Sequence, residues 1–585
     1  MKFLGNVIAT VIGIFVFIML FFFGVILIGA IFGGDDKVSV KNDSVIELDL
    51  KQINNDYAGK YKDPWVTVFS DKKSVGLTDV INAIEAAETD DNIKGISILN
   101  DESSLGLAQY KDLRNALESF KKSGKFVWAY ANTYSQKEYY LNSVANVVYL
   151  NPAGDLDFKG LSSEVMFFKD FQEKSGIHME VIRHGKYKSA VEPFLENKMS
   201  DANREQVTAL LNSIWSTVCS DISKSRNIPV DKLNEIANGL LARTPQMAKT
   251  QHLVDIVAYE DVYHNAIKKA LKVKDDEEYN KISILDYTQN NVTTALTNVA
   301  TDQIAIIYAQ GEIAGGEGDV NVIGEGSMRR SLQEARKNED VKAIVLRIDS
   351  PGGSALTSDL IWREIEVTKK VKPVIVSMGN YAASGGYYIA CNANKIFAES
   401  NTITGSIGVF GVLPNFTPLA NKLGINTEQV KTHENSANYS PFVPVDEKFK
   451  AFTLEGVEQI YKTFVTHVAE GRKMTFAQVD SIAQGRVWSG SEAVKIGLVD
   501  KIGGLNDAIA EAAKIAKIKD YGTQNYPEYE KTFGDLMGSL PFAQSKEAFI
   551  KEEIGEENYM LIEQVKRFQR QKGVQAMMPF GINIK

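Results

Sequence analysis

Residues 92–195 align with residues 340–443 at one constant offset, 248, without a gap. Ile93-Lys94 meets Val341-Lys342, Tyr139-Tyr140 meets Tyr387-Tyr388, and Ala145-Asn146 meets Ala393-Asn394. Gly176-Ile177 meets Gly424-Ile425, and Pro193-Phe194 meets Pro441-Phe442. A chain that repeats itself once over this length builds two similar folding units, each with its own core. The departures from the repeat are as informative as the matches. The second copy carries Ser350-Pro351-Gly352-Gly353 and Ala383-Ser384-Gly385-Gly386, where the first has Glu102-Ser103-Ser104-Leu105 and Ser135-Gln136-Lys137-Glu138. Conversely, Lys188 of the first copy stands opposite Ser436 of the second. One copy offers a serine and glycine-rich turns; the other offers a lysine.

At 585 residues the chain exceeds a single ordinary core. A formal net charge of −9, with no basic stripe carrying interleaved aromatics, excludes an ordinary nucleic-acid binder. The two cysteines, Cys219 and Cys391, have no metal-ligand spacing and read as small buried hydrophobes. No Gly-x-x-x-x-Gly-Lys-Ser/Thr string and no His-Glu-x-x-His string occurs, so no nucleotide, metal or other cofactor is expected.

Val7 to Phe32 is apolar or small throughout, with one threonine and no charge. Such a helix would span about 39 Å, more than the ~30 Å hydrocarbon core, whereas a cleavable signal has an apolar stretch of only about 7–15 residues. An uncleaved transmembrane anchor within residues 1–36 is therefore expected. Lys2 precedes it and Asp35-Asp36 follow, which places the short tail in the cytoplasm and the body outside.

Beyond the anchor, Ser44–Lys51 alternates as a strand, with Gln303–Ala309 as its counterpart in the second copy. Ala343–Asp349 and Pro373–Met378 read as buried strands, Ala355–Lys370 as a helix between them, and Lys395–Ala398 as a further strand. Gly379–Ala383 reads as a turn, with a helix starting at Ser384. Short apolar strands alternating with helices predict an α/β class with parallel sheets. The repeats are assigned to residues 44–290 and 303–530, joined by a charged, then polar, connection over 272–302. Residues 531–585 form a C-terminal arm, helical over Glu547–Lys572.

Ser384, in Tyr381-Ala382-Ala383-Ser384-Gly385-Gly386, falls between a buried strand and a helix. That placement raises a hydroxyl above the sheet on a tight turn, with small neighbours that admit a substrate backbone. Its alternative reading is a helix N-cap. Ser350-Pro351-Gly352-Gly353 follows the neighbouring strand and could lie beside it. Gly353 and Gly385 are the candidate donors of an oxyanion hole, with Gly352 in support; each donor is worth about 3–4 kcal/mol in such sites. A serine nucleophile needs a base. His184 and His433 fall nearest the critical region, but no histidine lies close to Ser384 in sequence. Lys188 is the better candidate, provided burial lowers its pKa well below the usual ~10.4 and a hydroxyl such as Ser189 orients the amine. Lys186 is its rival, since alternation puts both on one strand face.

Together these segments resemble the signal peptide peptidase A family in its long, duplicated, membrane-anchored form. Tyr187-Lys188-Ser189-Ala190-Val191-Glu192-Pro193-Phe194 and Tyr381–Tyr387 carry the resemblance most specifically. Asp349–Ser354, Thr404-Gly405-Ser406-Ile407-Gly408-Val409 and the terminal Gln575–Pro579 add to it. The resemblance implies tandem ClpP/crotonase-like domains of repeated β-β-α units. It implies an ATP-independent serine endopeptidase with Ser384 as nucleophile and Lys188, rather than Lys186, as general base. It also implies a homotetramer on the extracytoplasmic (periplasmic) side of the cell inner membrane, degrading cleaved signal peptides and other short unfolded peptides. Two other readings compete: a crotonase-like acyl-CoA enzyme, and a non-catalytic membrane scaffold.

Overall fold

The computed structural model describes residues 10, 12–17, 19–20, 39–51, 53–61, 75–99, 103–274, 276–295, 300–437, 439–530 and 575–578. The expected anchor lies largely outside them. Its described part is helical, with Ile12, Phe15 and Phe17 exposed. No helix among the described residues is long and apolar enough to cross a membrane. The helix expected over Glu547–Lys572 lies outside the described residues.

The first repeat builds a six-stranded, wholly parallel sheet. Its order is Ile256–Val257, Val147–Leu150, Phe126–Ala131, Ile93–Leu99, Ser44–Asp49, Lys281–Ser283. The second repeat builds an eight-stranded sheet around Gln303–Gln310, Val341–Ser350 and Val374–Ala383, again parallel at its centre. The offset of 248 carries over into three dimensions. Ile93, Phe126 and Val147 open strands in the first sheet as Val341, Val374 and Lys395 do in the second. Each sheet is covered by helices on both sides, so its central strands are apolar runs rather than alternating ones. Ile96, Ile98, Val127 and Ala129 are fully buried or nearly so, as are Ile344, Leu346, Val374 and Val376. Each repeat also carries one 26-residue helix, Asp201–Arg226 and Glu447–Arg472. Ser200 and Asp446 cap their N-termini, and Asn227 and Lys473 end them in the left-handed region.

Two expectations need revision. Gly379–Ala383 is not a turn: the strand begun at Val374 runs on to Ala383, because Tyr381–Ala383 pair with Ile403–Gly405. The 272–302 connection is also more structured than its composition suggests. Lys281–Ser283 joins the first sheet beside Ser44–Asp49, and Ile284–Ala295 is a helix.

The repeats meet through buried charge. Arg347, in the middle of an apolar strand, is 2% exposed. Its guanidinium donates to Asp56 at 2.7 Å and to Asp112 at 2.8 Å, both in the first repeat. Burial pushes the Asp112 carboxyl up, and the Arg347 charge pulls it back. Removing one partner of such a pair strands the others without compensation. Arg347→Met is therefore expected to cost about 3–5 kcal/mol of unfolding free energy, measured by urea denaturation.

A third, seven-stranded sheet draws on both repeats. Its order is Gly318–Asp319, Val322–Gly324, Glu312–Ala314, Gly352–Ser354, Gln575–Met577, Val409–Asn415, His178–His184. His178–His184 of the first repeat runs antiparallel to Val409–Asn415 of the second, from His184 opposite Val409 to His178 opposite Asn415. This pairing delivers the segment after His184 to the second repeat.

Candidate active site

Ser384 sits where the Val374–Ala383 strand ends and the Gly385–Ala390 helix begins. Its φ of 54° and ψ of −111° are costly for a residue with a side chain. Its N–H donates to the Gly405 carbonyl at 2.8 Å, which holds the turn. Gly386 allows the turn to press on its neighbour, since a Cβ there would lie 2.7 Å from the Ser350 carbonyl oxygen. Ser384 makes no side-chain cap bond to its helix, so the N-cap reading does not account for its hydroxyl.

That hydroxyl instead meets Lys188. The Lys188 Nζ lies 2.9 Å from Ser384 Oγ, 3.0 Å from Ser406 Oγ and 3.2 Å from the Ser406 carbonyl. Lys188 is fully buried. Its stem packs against Gly408 and Gly485; a Cβ on Gly485 would lie 2.7 Å from the Lys188 backbone nitrogen. The Phe410 ring stands 5.9 Å from the amine. Burial lowers the Lys188 pKa well below its usual value, and no carboxylate offsets the effect. A neutral amine is the form that can accept a proton from a hydroxyl.

Lys186 is exposed, with its amine over the Tyr187 ring at 5.2 Å. The alternation argument fails because the strand ends at His184 and residues 185–188 form a turn. The Tyr187 N–H pins that turn to the Gln484 carbonyl at 2.8 Å. The two histidines make other contacts: His184 stacks on Tyr461, and His433 bonds Thr432 on the surface.

Ser189 does not orient the amine as expected. Its hydroxyl has the Tyr187 carbonyl and Asn203 Oδ1, each at 3.0 Å, as acceptors for its single proton, and it accepts from Gln206 Nε2 at 2.6 Å. Asn203 is in turn held by Glu192. This network fixes the backbone beside Lys188 rather than the amine itself. The hydroxyl on the amine belongs to Ser406, which sequence reasoning missed. The available signal was its place in Gly405-Ser406-Ile407-Gly408, a glycine-flanked bend after a strand, where Ser406 adopts φ 51°. Loss of one hydrogen bond of roughly 1–3 kcal/mol corresponds to about 5–160-fold in rate. Ser406→Ala is expected to lower kcat by that factor with KM little changed, in steady-state hydrolysis of a peptide ester.

Gly352 and Gly353 join the third sheet as part of a short strand. Gly353 lies opposite Ile313 on one side and Ala576 on the other. Gly352 has φ 103°, and the Gly385 nitrogen lies 2.8 Å from where a Gly352 Cβ would be. The two glycine segments are thus in contact beside Ser384. Asp349, just ahead of them, accepts from the Tyr381 N–H at 2.9 Å and from Asn380 at 3.1 Å, tying the two strand ends together. The two cysteines play no part: Cys219 and Cys391 are buried, and burial pushes both thiols up to about 12.

A serine hydroxyl on a strained turn, hydrogen-bonded to a buried amine, is the equipment of a hydrolase that works through an acyl-enzyme. The class is serine protease, and comparison with known proteins agrees. The pattern of peptidase family S49 matches residues 119–274 and again 366–519, one match in each repeat. Protease 4 of Haemophilus influenzae is 38% identical over 454 residues, covering 76% of this chain and 73% of that one. The chloroplastic serine protease SPPA of Arabidopsis thaliana is 34% identical, covering 75% and 65%. Among solved structures, a ClpP1 variant of Listeria monocytogenes aligns with a TM-score of 0.24 at 18% identity, covering 35% of this chain and 94% of that one. The chain belongs to peptidase family S49, and its substrates are peptides. Neither the acyl-CoA reading nor the scaffold reading finds support in these relatives.

Proposed function

We propose that the chain is a Ser–Lys endopeptidase in which Ser384 is the nucleophile and Lys188 the general base. The observation that carries this reading is the 2.9 Å contact between a buried amine and a strained serine hydroxyl. Neutral Lys188 takes the Ser384 proton as Oγ attacks the peptide carbonyl carbon. The N–H groups of Gly353 and Gly385 hold the oxyanion, with Gly352 leaving the approach free of side chains. The tetrahedral intermediate collapses, the C–N bond breaks, and the Lys188 ammonium protonates the leaving amine. Lys188, neutral again, then activates a water that releases the acyl group and restores Ser384. Ser406 holds the amine on the hydroxyl throughout.

The first repeat, residues 44–290, supplies the base, and the second, residues 303–530, supplies the nucleophile. Both follow the repeated β-β-α plan of ClpP and crotonase folds. The apolar run Val7–Phe32 supports an anchor that holds the enzyme at a membrane, with both repeats on its extracytoplasmic face. Released signal peptides partition into bilayers and are short and unfolded, so they suit an enzyme placed there as substrates. A homotetramer is the assembly that the family resemblance implies. Hydrolysis of a peptide ester, together with mass mapping of a serine-directed phosphonate, tests the reading. The adduct belongs on Ser384; an adduct elsewhere, with Ser384 unmodified, would overturn it.

A further inference from the structure

Lys188 and the Ser406 bend come from different repeats, and one short segment is bonded to both. The Gln484 carbonyl accepts the Tyr187 N–H at 2.8 Å, one residue ahead of Lys188. The Gly485 N–H donates to the Ile407 carbonyl at 2.8 Å, and the Arg486 carbonyl accepts the Ser406 N–H at 2.7 Å. Gln484–Arg486 thus brackets the Lys188 turn on one side and the Ser406 bend on the other. Gln484 has φ 53°, in the left-handed region. A residue with a side chain stays there only where its surroundings over-determine it. Within the second repeat, Gln484 Nε2 donates to Asp480 Oδ1 at 2.6 Å and to the Tyr461 hydroxyl at 3.0 Å.

The grip on the first repeat comes through the Arg486 side chain. Its guanidinium carbon stands 4.3 Å from the centre of the Trp488 ring and 5.0 Å from that of the Tyr187 ring. Its Nη1 donates to Glu205 Oε1 at 2.7 Å, and the Tyr187 hydroxyl donates to Glu205 Oε2 at 3.2 Å. Tyr187 and Glu205 belong to the first repeat, Arg486 and Trp488 to the second. An exposed ion pair alone would hold the repeats weakly. A planar guanidinium stacked on two rings is already fixed when it meets the carboxylate, and it covers the rings. Gln206 adds a second tie, donating to the Tyr187 carbonyl at 3.0 Å and accepting from the Val487 N–H at 3.3 Å.

We propose that Arg486 is a positioning residue of the reaction: by clamping Tyr187 to the bracket, it seats the Lys188 amine against Ser384 and Ser406 and keeps water from it. This rests on the reading of Lys188 as the base. The groups facing the amine are the two serines and the Phe410 ring. The nearby charges sit around the turn instead: Arg183 donates to the Lys188 carbonyl at 3.2 Å, Lys186 lies over Tyr187, and Arg486 pairs with Glu205. Burial is what lowers the Lys188 pKa. Loosening the clamp therefore acts through geometry and water rather than through a lost charge.

The test is the pH dependence of Ser384 phosphonylation in Arg486→Ala. Misplacing a catalytic group by about 1 Å can cost about 100-fold, so the plateau rate is expected to fall by roughly 10–100-fold. Water admitted to the amine weakens the effect of burial, and its pKa climbs back toward the ordinary lysine range. The acid limb of the profile should therefore move to higher pH, by about one unit. A role confined to stability would leave the limb in place. An unmoved limb, or a plateau rate within about threefold of the parent's, would overturn the proposal. Arg486→Lys, the gentler change, keeps a charge for Glu205 but no plane for the rings. It should remain impaired in both respects, and parental behaviour would overturn the proposal likewise. In R486A/K188M the rate should match that of Lys188→Met alone, as for a group that acts through the lysine; a clear further loss would contradict it. Lys188→Met with the parent's fast reaction and limb would instead remove the base assignment, whatever Arg486 does.

Discussion

Ser384→Ala is expected to reduce the kcat for peptide-ester hydrolysis by roughly 10⁴–10⁶-fold, the range seen when a serine nucleophile is removed. The loss follows from geometry. Of the two hydroxyls on Lys188, that of Ser384 stands at the strand-to-helix junction where the Gly352 and Gly385 segments meet. Ser406 also touches the amine, but from a separate bend after Ile403–Gly405. Stability should change little, because alanine keeps the buried volume close and retains the Cβ that makes the φ 54° turn costly. Thermal unfolding of the purified variant checks that the loss is chemical.

Lys188→Met is expected to abolish acylation to a similar degree, and combining it with Ser384→Ala should cost little more. Groups that act as one unit are not additive. Its effect on stability should run the other way. The amine is fully buried without a carboxylate partner, so folding transfers it into the interior as a neutral group. The unfolded chain keeps the ordinary lysine proton, so folding releases a proton wherever pH lies between the lowered folded pKa and the unfolded value. Across that window stability rises with pH, and the burden on folding grows as pH falls. Methionine matches the stem and removes the amine. Lys188→Met should thus be at least as stable as the parent near neutral pH, and its stability should depend less on pH. Denaturation at several pH values checks both statements; a large destabilisation, of the size expected for Arg347→Met, would contradict them.

Much of this was legible in the sequence because duplication doubles the signal. Strand starts at Ile93, Phe126 and Val147 recur at Val341, Val374 and Lys395, and apolar runs mark the central strands of both parallel sheets. Ser384 and Lys188 stood out because each breaks the repeat. The third sheet was not legible. Gly352–Ser354 and Gln575–Met577 are three residues each, too short for periodicity, and their pairing joins distant parts of the chain. Arg347 was passed over inside Ala343–Asp349 because its partners, Asp56 and Asp112, lie 291 and 235 residues away. Ser189 was named because it adjoins the lysine in sequence, and Ser406 was not weighed. The contact that matters is made through space, by a bend whose backbone conformation no propensity rule foretells.

The most direct test of the central claim is the pH dependence of Ser384 phosphonylation, followed as single-turnover kinetics in the parent and in Lys188→Met. In the parent, the rate should fall on acidification as a group well below the ordinary lysine range takes up its proton. In Lys188→Met, both the fast reaction and that limb should vanish. A fast rate with the same limb in the variant would show that some other group activates the serine, and would contradict the account.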